Sequence, residues 1–371
     1  MSHRIVLVVP LFKERGYPRL HKLLGLFAAR EVQCEVWAMA PWRGMRIQEQ
    51  GFCVRSLVRF ADSRSRRAPG DYLRWTAAVA LQAVRAPSGG LYYALGLDCA
   101  LPLALTSVMK QSRVIYDNND NFALRYRMPR LLAGAVSVIE AWVARRSLLH
   151  IVPAPSRWLR GGPNLRIVRN VPSRSLVDQA LELARTRGYQ RPSRFTLYVN
   201  GWLTEGRGMG TLMAALQMVD VRELKVVIAG RIGCEAASEL AGWPCVEYVG
   251  ELGVVEALAT YFRTHAAFTY YDPSVPINVL AEPTKWGDCV VTGTAFIANQ
   301  EILGVADYLR IQGCFCTPYR DAGGLASLFR RLVEQPGLAL AAGARLTEMA
   351  TTKDWDTQMA AVLDEAWNDT P

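Results

Sequence analysis

The hydrophobic positions along this chain of 371 residues follow two patterns in alternation. Short uninterrupted apolar runs, of which Ile5–Val9 is the first, are typical of parallel strands that are buried on both faces. Between these runs lie segments with apolar residues at helical spacing, such as Leu20–Ala29. Because strand and helix alternate along the chain, the sequence predicts an α/β fold with parallel sheets.

The alternation stops once and then restarts. In the first half, further strands are expected at Glu35–Ala40, Val114–Tyr116, His150–Pro153 and Arg166–Val168. In the second half, strands are expected at Phe195–Val199, Val226–Ala229, Val246–Val249, Ala266–Tyr270 and Phe296–Ala298. A loop is expected from Asn200 and a helix from Gly208. We therefore expect two doubly wound, Rossmann-like domains facing across a cleft, with ligands at the carboxyl ends of the strands.

A charged helical segment, Leu176–Arg187, separates the two halves and ends near Gly188 and Pro192. The sequence thus predicts an N-terminal domain of residues 1–172, a linker of residues 173–194 and a C-terminal domain of residues 195–371. The last helix of the chain is expected to pack back on the N-terminal domain.

No stretch of the sequence predicts a membrane span or an export signal, since the first apolar run is only about eight residues long. A longer apolar stretch, Leu131 to Val152, contains charged residues and predicts an amphipathic helix. Most apolar residues of its first part, Leu131–Trp142, are expected in the domain core, and insertion of some of them into a membrane surface is the alternative. The eight cysteines are scattered and the histidines number four, so we expect a reducing cytoplasm, no metal and no other cofactor.

The two halves carry opposite charge. Residues 1–195 hold 31 Lys and Arg against 12 Asp and Glu, a balance of +19, whereas the remainder has a balance of −9. Such asymmetry favours an anionic partner for the first half, which could be nucleic acid, a membrane surface or a phosphate-bearing acceptor. The arginines are dispersed and no nucleic-acid motif is visible, so we expect no nucleic acid. An anionic membrane surface is expected instead, with contacts at Arg43, Arg46, Arg64, Arg66 and Arg67.

Two segments of the second half could carry chemistry, and the first is the loop GWLTEGRG at 201–208. Glycines let backbone amides approach a ligand, and the amino terminus of the following helix favours an anion such as a diphosphate. Arg207 could add a bidentate contact to phosphate oxygens. The alternative interpretation is an ordinary glycine-rich turn with a solvated arginine.

The second segment leaves a strand at Tyr270, crosses a proline-rich loop and enters a helix with Thr284 as the expected N-cap. Lys285 and Asp288 are three residues apart, so they share one face of the first helical turn. A carboxylate there could hold a sugar diol while the lysine binds phosphate. The alternative is an intrahelical ion pair.

Both segments, in this order, resemble the donor-binding domain of retaining glycosyltransferases of the GT-B fold, the glycosyl transferases of group 1. The resembling stretches are GWLTEGRG at 201–208, VVIAG at 226–230, PTKWGD at 283–288, GTAFIAN at 293–299 and, more loosely, RIVRNVP at 166–172. The resemblance implies transfer of a sugar, with retention of configuration, from a nucleoside-diphosphate sugar to an acceptor hydroxyl. UDP or GDP is the expected nucleotide, and a lipid-linked or glycan acceptor in surface polysaccharide or glycolipid assembly is expected at the inner face of the membrane.

The resemblance also assigns roles to individual residues. The donor site it implies consists of Gly16, Gly201, Arg207, Gly230, Asn278, Lys285 and Asp288. Within that site Arg207 would contact the diphosphate and Asp288 the ribose hydroxyls. The acceptor side would be formed by Asp117, Asn119 and Asp120. The catalytic residues would be Arg207, Lys285 and Asp120.

This sequence departs from the family pattern at two positions. Trp202 stands where a second arginine usually meets the phosphates, and Leu280 stands eight residues before Asp288, where many members have a glutamate. The departures leave an alternative open, in which the protein is an inactive GT-B homologue that acts as a partner in a glycan-assembly complex.

Overall fold

The computed structural model describes residues 4–12, 18–47, 52–59, 69–125, 128–350 and 354–368. The chain divides into two compact units. Unit 1 comprises Met1–Val168 together with Gln358–Pro371, and unit 2 comprises Arg169–Thr357. The division falls before residue 172, the expected end of the first domain.

The described part of unit 1 contains an eight-stranded sheet. Its strands are β1 Arg4–Val9, β2 Gln33–Ala40, β3 Gly44–Ile47, β4 Cys53–Arg59, β5 Leu91–Leu95, β6 Arg113–Asp117, β7 Leu149–Val152 and β8 Leu165–Ile167. Their order is β3-β4-β2-β1-β5-β6-β7-β8, with every neighbouring pair parallel except β3 with β4. The helices are α1 Pro18–Ala29, α2 Pro69–Arg85, α3 Leu97–Lys110, α4 Phe122–Arg125 and α5 Arg130–Arg146. The order reverses between β1 and β5, as in a doubly wound fold.

Unit 2 repeats this architecture. Its described strands are β9 Phe195–Leu203, β10 Leu224–Ile232, β11 Val246–Tyr248, β12 Ala266–Thr269, β13 Ala295–Asn299 and β14 Cys314–Thr317. All are parallel, in the order β11-β10-β9-β12-β13-β14. The helices are α6 Arg174–Thr186, α7 Met209–Gln217, α8 Glu235–Leu240, α9 Val254–Tyr261, α10 Pro276–Val279, α11 Thr284–Thr292, α12 Val305–Arg310, α13 Ala322–Glu334 and α14 Gly337–Ala350. This is the Rossmann order, and the expected α/β fold with two such units is confirmed.

Along the chain, helix α6 follows the first boundary between the units, and the last helix contains the second boundary. Helix α6, which the sequence placed in a linker, packs against α9 within unit 2. The last helix, α15 Trp355–Asn368, contributes its residues from Gln358 onward to unit 1. There Asp364 pairs with Arg30, and the Ala366 carbonyl accepts a hydrogen bond of 3.1 Å from Arg113 Nη1.

Three sequence expectations about these elements are wrong. No loop begins at Asn200, because β9 and β10 stay paired as far as Leu203 and Ile232. Thr284 is the first residue of α11, and the cap position belongs to Pro283, whose φ of −64° fits an extended residue before a helix. The apolar residues of α5 are largely exposed instead of buried in the core. Among the described helices, none is long and apolar enough to cross a bilayer.

Candidate functional site

The candidate site lies in unit 2, where the strand order reverses between β9 and β12. Ligands of such sheets bind outside the carboxyl ends of the strands at this reversal. After β9 the chain makes a 3₁₀ turn, Glu205–Arg207, and enters α7 through Gly208, which has a φ of +73°. A Cβ on Gly208 would lie 2.8 Å from Cβ of Tyr270, so glycine permits the turn to pack on the segment after β12.

Hydrogen bonds to its backbone carbonyls hold the same turn. The amide of Asp272 donates a hydrogen bond of 2.9 Å to the Gly206 carbonyl, and the hydroxyl of Tyr319 donates one of 3.1 Å to the Glu205 carbonyl. These bonds connect the turn to the segments that follow β12 and β14. The position of the arginine at the end of the turn is thereby fixed by neighbouring strands.

Arg207 lies with its guanidinium carbon 3.7 Å from the ring centroid of Tyr271, a cation–π contact. Its Nη1 atom is buried and has no hydrogen-bond acceptor among the described residues. A buried guanidinium nitrogen without an acceptor is an open donor for an anionic ligand. Tyr271 was not expected in the site, although its place directly after a strand end was a usable signal.

Lys285, in the first turn of α11, reaches Gly201 of β9 across the strand reversal. A Cβ on Gly201 would lie 3.4 Å from both Cε and Nζ of Lys285, so the lysine packs on the bare backbone of β9. Desolvation lowers the pKa of this lysine from 10.5 to about 8, and the positive charge of Arg207 adds to the lowering against the attraction of Asp288. In the described part of the chain, neither Lys285 nor Arg207 forms an ion pair. The structure therefore brings together two cations that repel each other.

Asp288 lies one helical turn beyond Lys285 on the same face of α11. Its negative charge acts on Tyr198 and Tyr261, whose pKa values are raised mainly by burial and further by this carboxylate. The Tyr261 hydroxyl also donates to Asn200 Oδ1 at 3.4 Å. The same carboxylate attracts the ammonium group of Lys285, with which it shares a face of α11.

A cavity of about 380 Å³ opens beside these residues. It is lined by the ends of β9 and β10 and by the start of α9, with Asn200, Gly201, Trp202, Ala229, Gly230, Arg231, Glu251, Leu252 and Ala257. The Trp202 indole is 66% exposed at this cavity. Glu251 and Leu252 were not among the site residues expected from the sequence. They follow Gly250, beyond the carboxyl end of β11, where ligands of such sheets bind.

The loop before α11 is held by a network that the sequence did not reveal. Glu282 is buried and accepts hydrogen bonds from Arg169 at 3.1 Å and from the Tyr308 hydroxyl at 2.6 Å. Arg169 also pairs with Asp307 at 2.6 Å. Asn278, which was expected to line the nucleotide-sugar site, donates a hydrogen bond of 2.9 Å from Nδ2 to the Asp272 carbonyl. This bond connects two residues of the loop before α11.

In unit 1, the expected acceptor residues lie at the carboxyl end of β6, where Asp117 is the last residue of the strand, and their surroundings differ from one another. Asp117 is completely buried, and its carboxylate accepts hydrogen bonds from Arg19 Nε at 2.8 Å and the Tyr93 hydroxyl at 2.6 Å. Asp120 is partly exposed and lies 3.5 Å from Arg157 and 3.6 Å from Arg125. Asn119 carries a buried Oδ1 atom with no hydrogen-bond donor among the described residues.

The expectations for Gly16 and for a metal ion concern, in whole or in part, residues outside the described chain. Gly16 lies outside the described residues. In the part of the chain that the structure describes, no group of three or more His, Cys, Asp or Glu side chains is arranged to hold a metal ion.

Comparison with known proteins gives structural neighbours alone, since no family model and no curated protein matches the sequence. Sucrose-phosphate synthase of Thermosynechococcus elongatus superposes with a TM-score of 0.70 at 14% identity, over the full length of both chains. HepE of Anabaena in complex with UDP-glucose gives 0.67 at 14% identity, over 98% of this chain and 99% of its own. An Escherichia coli trehalose-6-phosphate structure bound with UDP-2-fluoro glucose gives 0.66 at 9% identity, over 98% of each chain.

These neighbours are glycosyltransferases of the GT-B architecture. At 9–14% identity the likeness establishes the fold, and the GT-B resemblance predicted from the motifs is confirmed at that level.

Proposed function

We propose that this protein is a glycosyltransferase that moves a sugar from a nucleoside-diphosphate sugar to an acceptor hydroxyl. The observation that carries the proposal is the pair of cations, Lys285 and Arg207, beside the bare backbone of Gly201 at the strand reversal of unit 2. A diphosphate would relieve the repulsion between the two cations and would accept a hydrogen bond from Nη1 of Arg207. In this proposal unit 2 binds the donor and unit 1 binds the acceptor.

The nucleoside part of the donor is assigned to the cavity and to Asp288. The cavity of about 380 Å³ lies within the range of small-molecule sites and takes the nucleoside, with the Trp202 ring as a stacking surface at its edge. Asp288 accepts hydrogen bonds from the ribose diol. UDP is the nucleotide we favour, ahead of GDP, because HepE is described in complex with UDP-glucose and the E. coli neighbour with UDP-2-fluoro glucose.

The chemistry follows from the charges. As the bond between the anomeric carbon and the phosphate oxygen breaks, negative charge develops on the leaving diphosphate. Lys285 and Arg207 stabilise that charge, and preorganised contacts of this kind are a large catalytic contribution. As that bond breaks, the acceptor oxygen bonds to the anomeric carbon, and in this proposal the Asp120 carboxylate accepts the proton that the hydroxyl loses. We propose retention of configuration in keeping with the family resemblance.

The cellular setting belongs to the same proposal. A lipid-linked or glycan acceptor in polysaccharide or glycolipid assembly would meet the protein in the cytoplasm, at the inner face of the membrane. All eight cysteines are free thiols, which is typical of a reducing compartment.

A ligand screen tests the proposal. Thermal unfolding is measured with UDP-, GDP-, ADP- and dTDP-sugars, because a ligand that binds the native state raises the melting temperature by mass action. We expect UDP-sugars to stabilise the wild type and to stabilise Lys285→Gln less, with Arg222→Gln, an exposed arginine of the same unit, as the matched control. If no nucleotide sugar stabilises the protein, the proposal is wrong.

A second candidate function is favoured by the departures at Trp202 and Leu280: an inactive homologue that binds the nucleotide as a partner in an assembly complex. Donor hydrolysis and transfer, measured with and without lipid and glycan acceptors, separate the two. Turnover supports the enzyme, whereas binding without turnover supports the inactive partner.

A further inference from the structure

Helix α5 of unit 1 presents large apolar side chains to solvent. Leu131 is 91% exposed and Val138 is 64% exposed, and Leu132 and Ile139 are exposed as well. A helix that packs on a sheet normally turns its apolar stripe toward the core. Here the inward side of α5 is formed mainly by small residues, with Ala141, Val143 and Ala144 buried. The helix therefore carries a second apolar face with no described partner.

These four residues form one continuous stripe. At 100° per residue, Leu131, Leu132, Val138 and Ile139 fall within an arc of about 120°, and Ala135 and Trp142 lie in the same arc. The α5 surface is defined here as Leu131, Leu132, Val138 and Ile139.

Exposed arginines lie at both ends of helix α5. Arg130, Arg145 and Arg146 are exposed at the two ends of the helix. Residues 121–168 contain eight arginines and a single acidic residue, Glu140. Glu140 is fully buried and accepts hydrogen bonds from the Tyr116 hydroxyl at 2.9 Å and the Phe122 amide at 3.1 Å. Asp120 pairs with Arg125 and Arg157, and Glu365 pairs with Arg166. Among the described residues, no ion pair is found for Arg130, Arg145 or Arg146, so their charges are available at the surface.

We propose that the α5 surface docks on an anionic lipid bilayer. An apolar helical stripe bordered by arginines suits a helix that lies in the interface plane, with its apolar side chains among the acyl chains and its arginines at the lipid phosphates. A second copy of this chain would bring equal positive charges together, which disfavours self-association through the same face. The inference goes beyond glycosyl transfer and does not depend on it.

The sequence placed the membrane contact mainly at five arginines and gave the apolar residues of Leu131–Trp142 as an additional contact. Arg43 and Arg46 are exposed on unit 1, and Arg64, Arg66 and Arg67 lie outside the described residues. Helix α5 offers exposed arginines and an exposed apolar stripe together, and binding should therefore require both.

Vesicle sedimentation of the full-length protein tests the proposal. One vesicle preparation is pure phosphatidylcholine, and the other is an equal mixture of phosphatidylcholine and phosphatidylglycerol. We expect binding to the anionic vesicles alone, weakening as salt rises because the reach of charge shortens to about 8 Å at physiological ionic strength. The variant Leu131→Gln/Val138→Gln should bind about tenfold more weakly or worse, and Arg145→Gln/Arg146→Gln should also weaken binding.

Matched controls are exposed residues of unit 2, Leu309→Gln and Arg310→Gln, which should bind like the wild type. All substituted side chains of α5 are exposed, so thermal unfolding should be unchanged; if the apolar pair does not fold, the arginine pair carries the test. Equal binding to neutral vesicles, no binding at low salt, or wild-type binding by both α5 variants would overturn the proposal. So would concentration-dependent dimerisation that Leu131→Gln/Val138→Gln abolishes in the absence of lipid.

Discussion

Gly230 faces Gly201 across the β9–β10 ladder so closely that a Cβ on Gly230 would lie 1.9 Å from the Gly201 carbonyl oxygen. Gly201 has a φ of +96° and Gly230 a φ of +127°, both in the region that favours glycine. The pair lets the two strands continue past the point where the sequence predicts loops. It also leaves the bare backbone on which Lys285 packs.

We predict that Gly230→Ala destabilises the protein by about 3 kcal/mol or more, because the methyl group meets backbone that cannot move aside and the φ is strained. Chemical denaturation measures the change. Gly337→Ala is the control, since a Cβ there meets nothing within 4 Å. Equal stability of the two variants would show that the ladder relaxes at Gly230.

Much of the fold follows from local sequence. The apolar runs Ile5–Val9 and Phe195–Val199 predict buried parallel strands because strands covered on both faces have few polar positions. The continuation of β9 to Leu203 could not be predicted in this way. It depends on a strand partner that starts 29 residues later, at Leu224, and on two glycines that face each other.

The candidate site was predictable in part. Arg207 and Lys285 were identified from their motifs, but their mutual approach depends on the strand order, which no local pattern contains. Asp117 illustrates the opposite case. Its place after a strand suggested a ligand, whereas Arg19, 98 residues away, makes it one half of a buried ion pair. The apolar residues of α5 were expected mostly in the core, with membrane insertion as the alternative, because an amphipathic pattern does not say which side of the helix faces the sheet.

Arg207→Ala is predicted to lower kcat/KM for the donor by about 100-fold while leaving the melting temperature nearly unchanged. The reason is the buried Nη1, which has no acceptor among the described residues, so its removal costs the fold little. Activity assays and thermal unfolding are compared for the variant, the wild type and Arg222→Ala. A loss of stability in proportion to the loss of activity would instead assign Arg207 a structural role over Tyr271.

Asp288→Asn is predicted to weaken UDP binding by about tenfold, because an amide cannot accept hydrogen bonds from both ribose hydroxyls through equivalent oxygens. Calorimetric titration with UDP and with 2′-deoxy-UDP makes the test specific. Wild type should prefer UDP, and the variant should lose most of that preference. Asp220→Asn, an exposed carboxylate of unit 2, should retain it. A preference that survives in Asp288→Asn would contradict the ribose assignment.

The affinity for UDP is predicted to fall as pH rises above about 8, the pKa to which burial and Arg207 lower Lys285 in the empty site. A bound diphosphate favours the ammonium and raises that pKa, so the complex holds a proton that the empty protein has lost. Each pH unit above 8 should then weaken binding by about tenfold until the pKa of the complex is reached.

The stability of the empty protein should change in the opposite direction. Between pH 8 and 10.5, the unperturbed pKa, the unfolded chain binds more protons than the folded protein, so the free energy of unfolding rises with pH. Lys285→Arg keeps its charge across this range and should bind UDP with little pH dependence, whereas Arg222→Gln should retain the wild-type profile. A slope for Lys285→Arg as steep as that of the wild type would show that another group titrates.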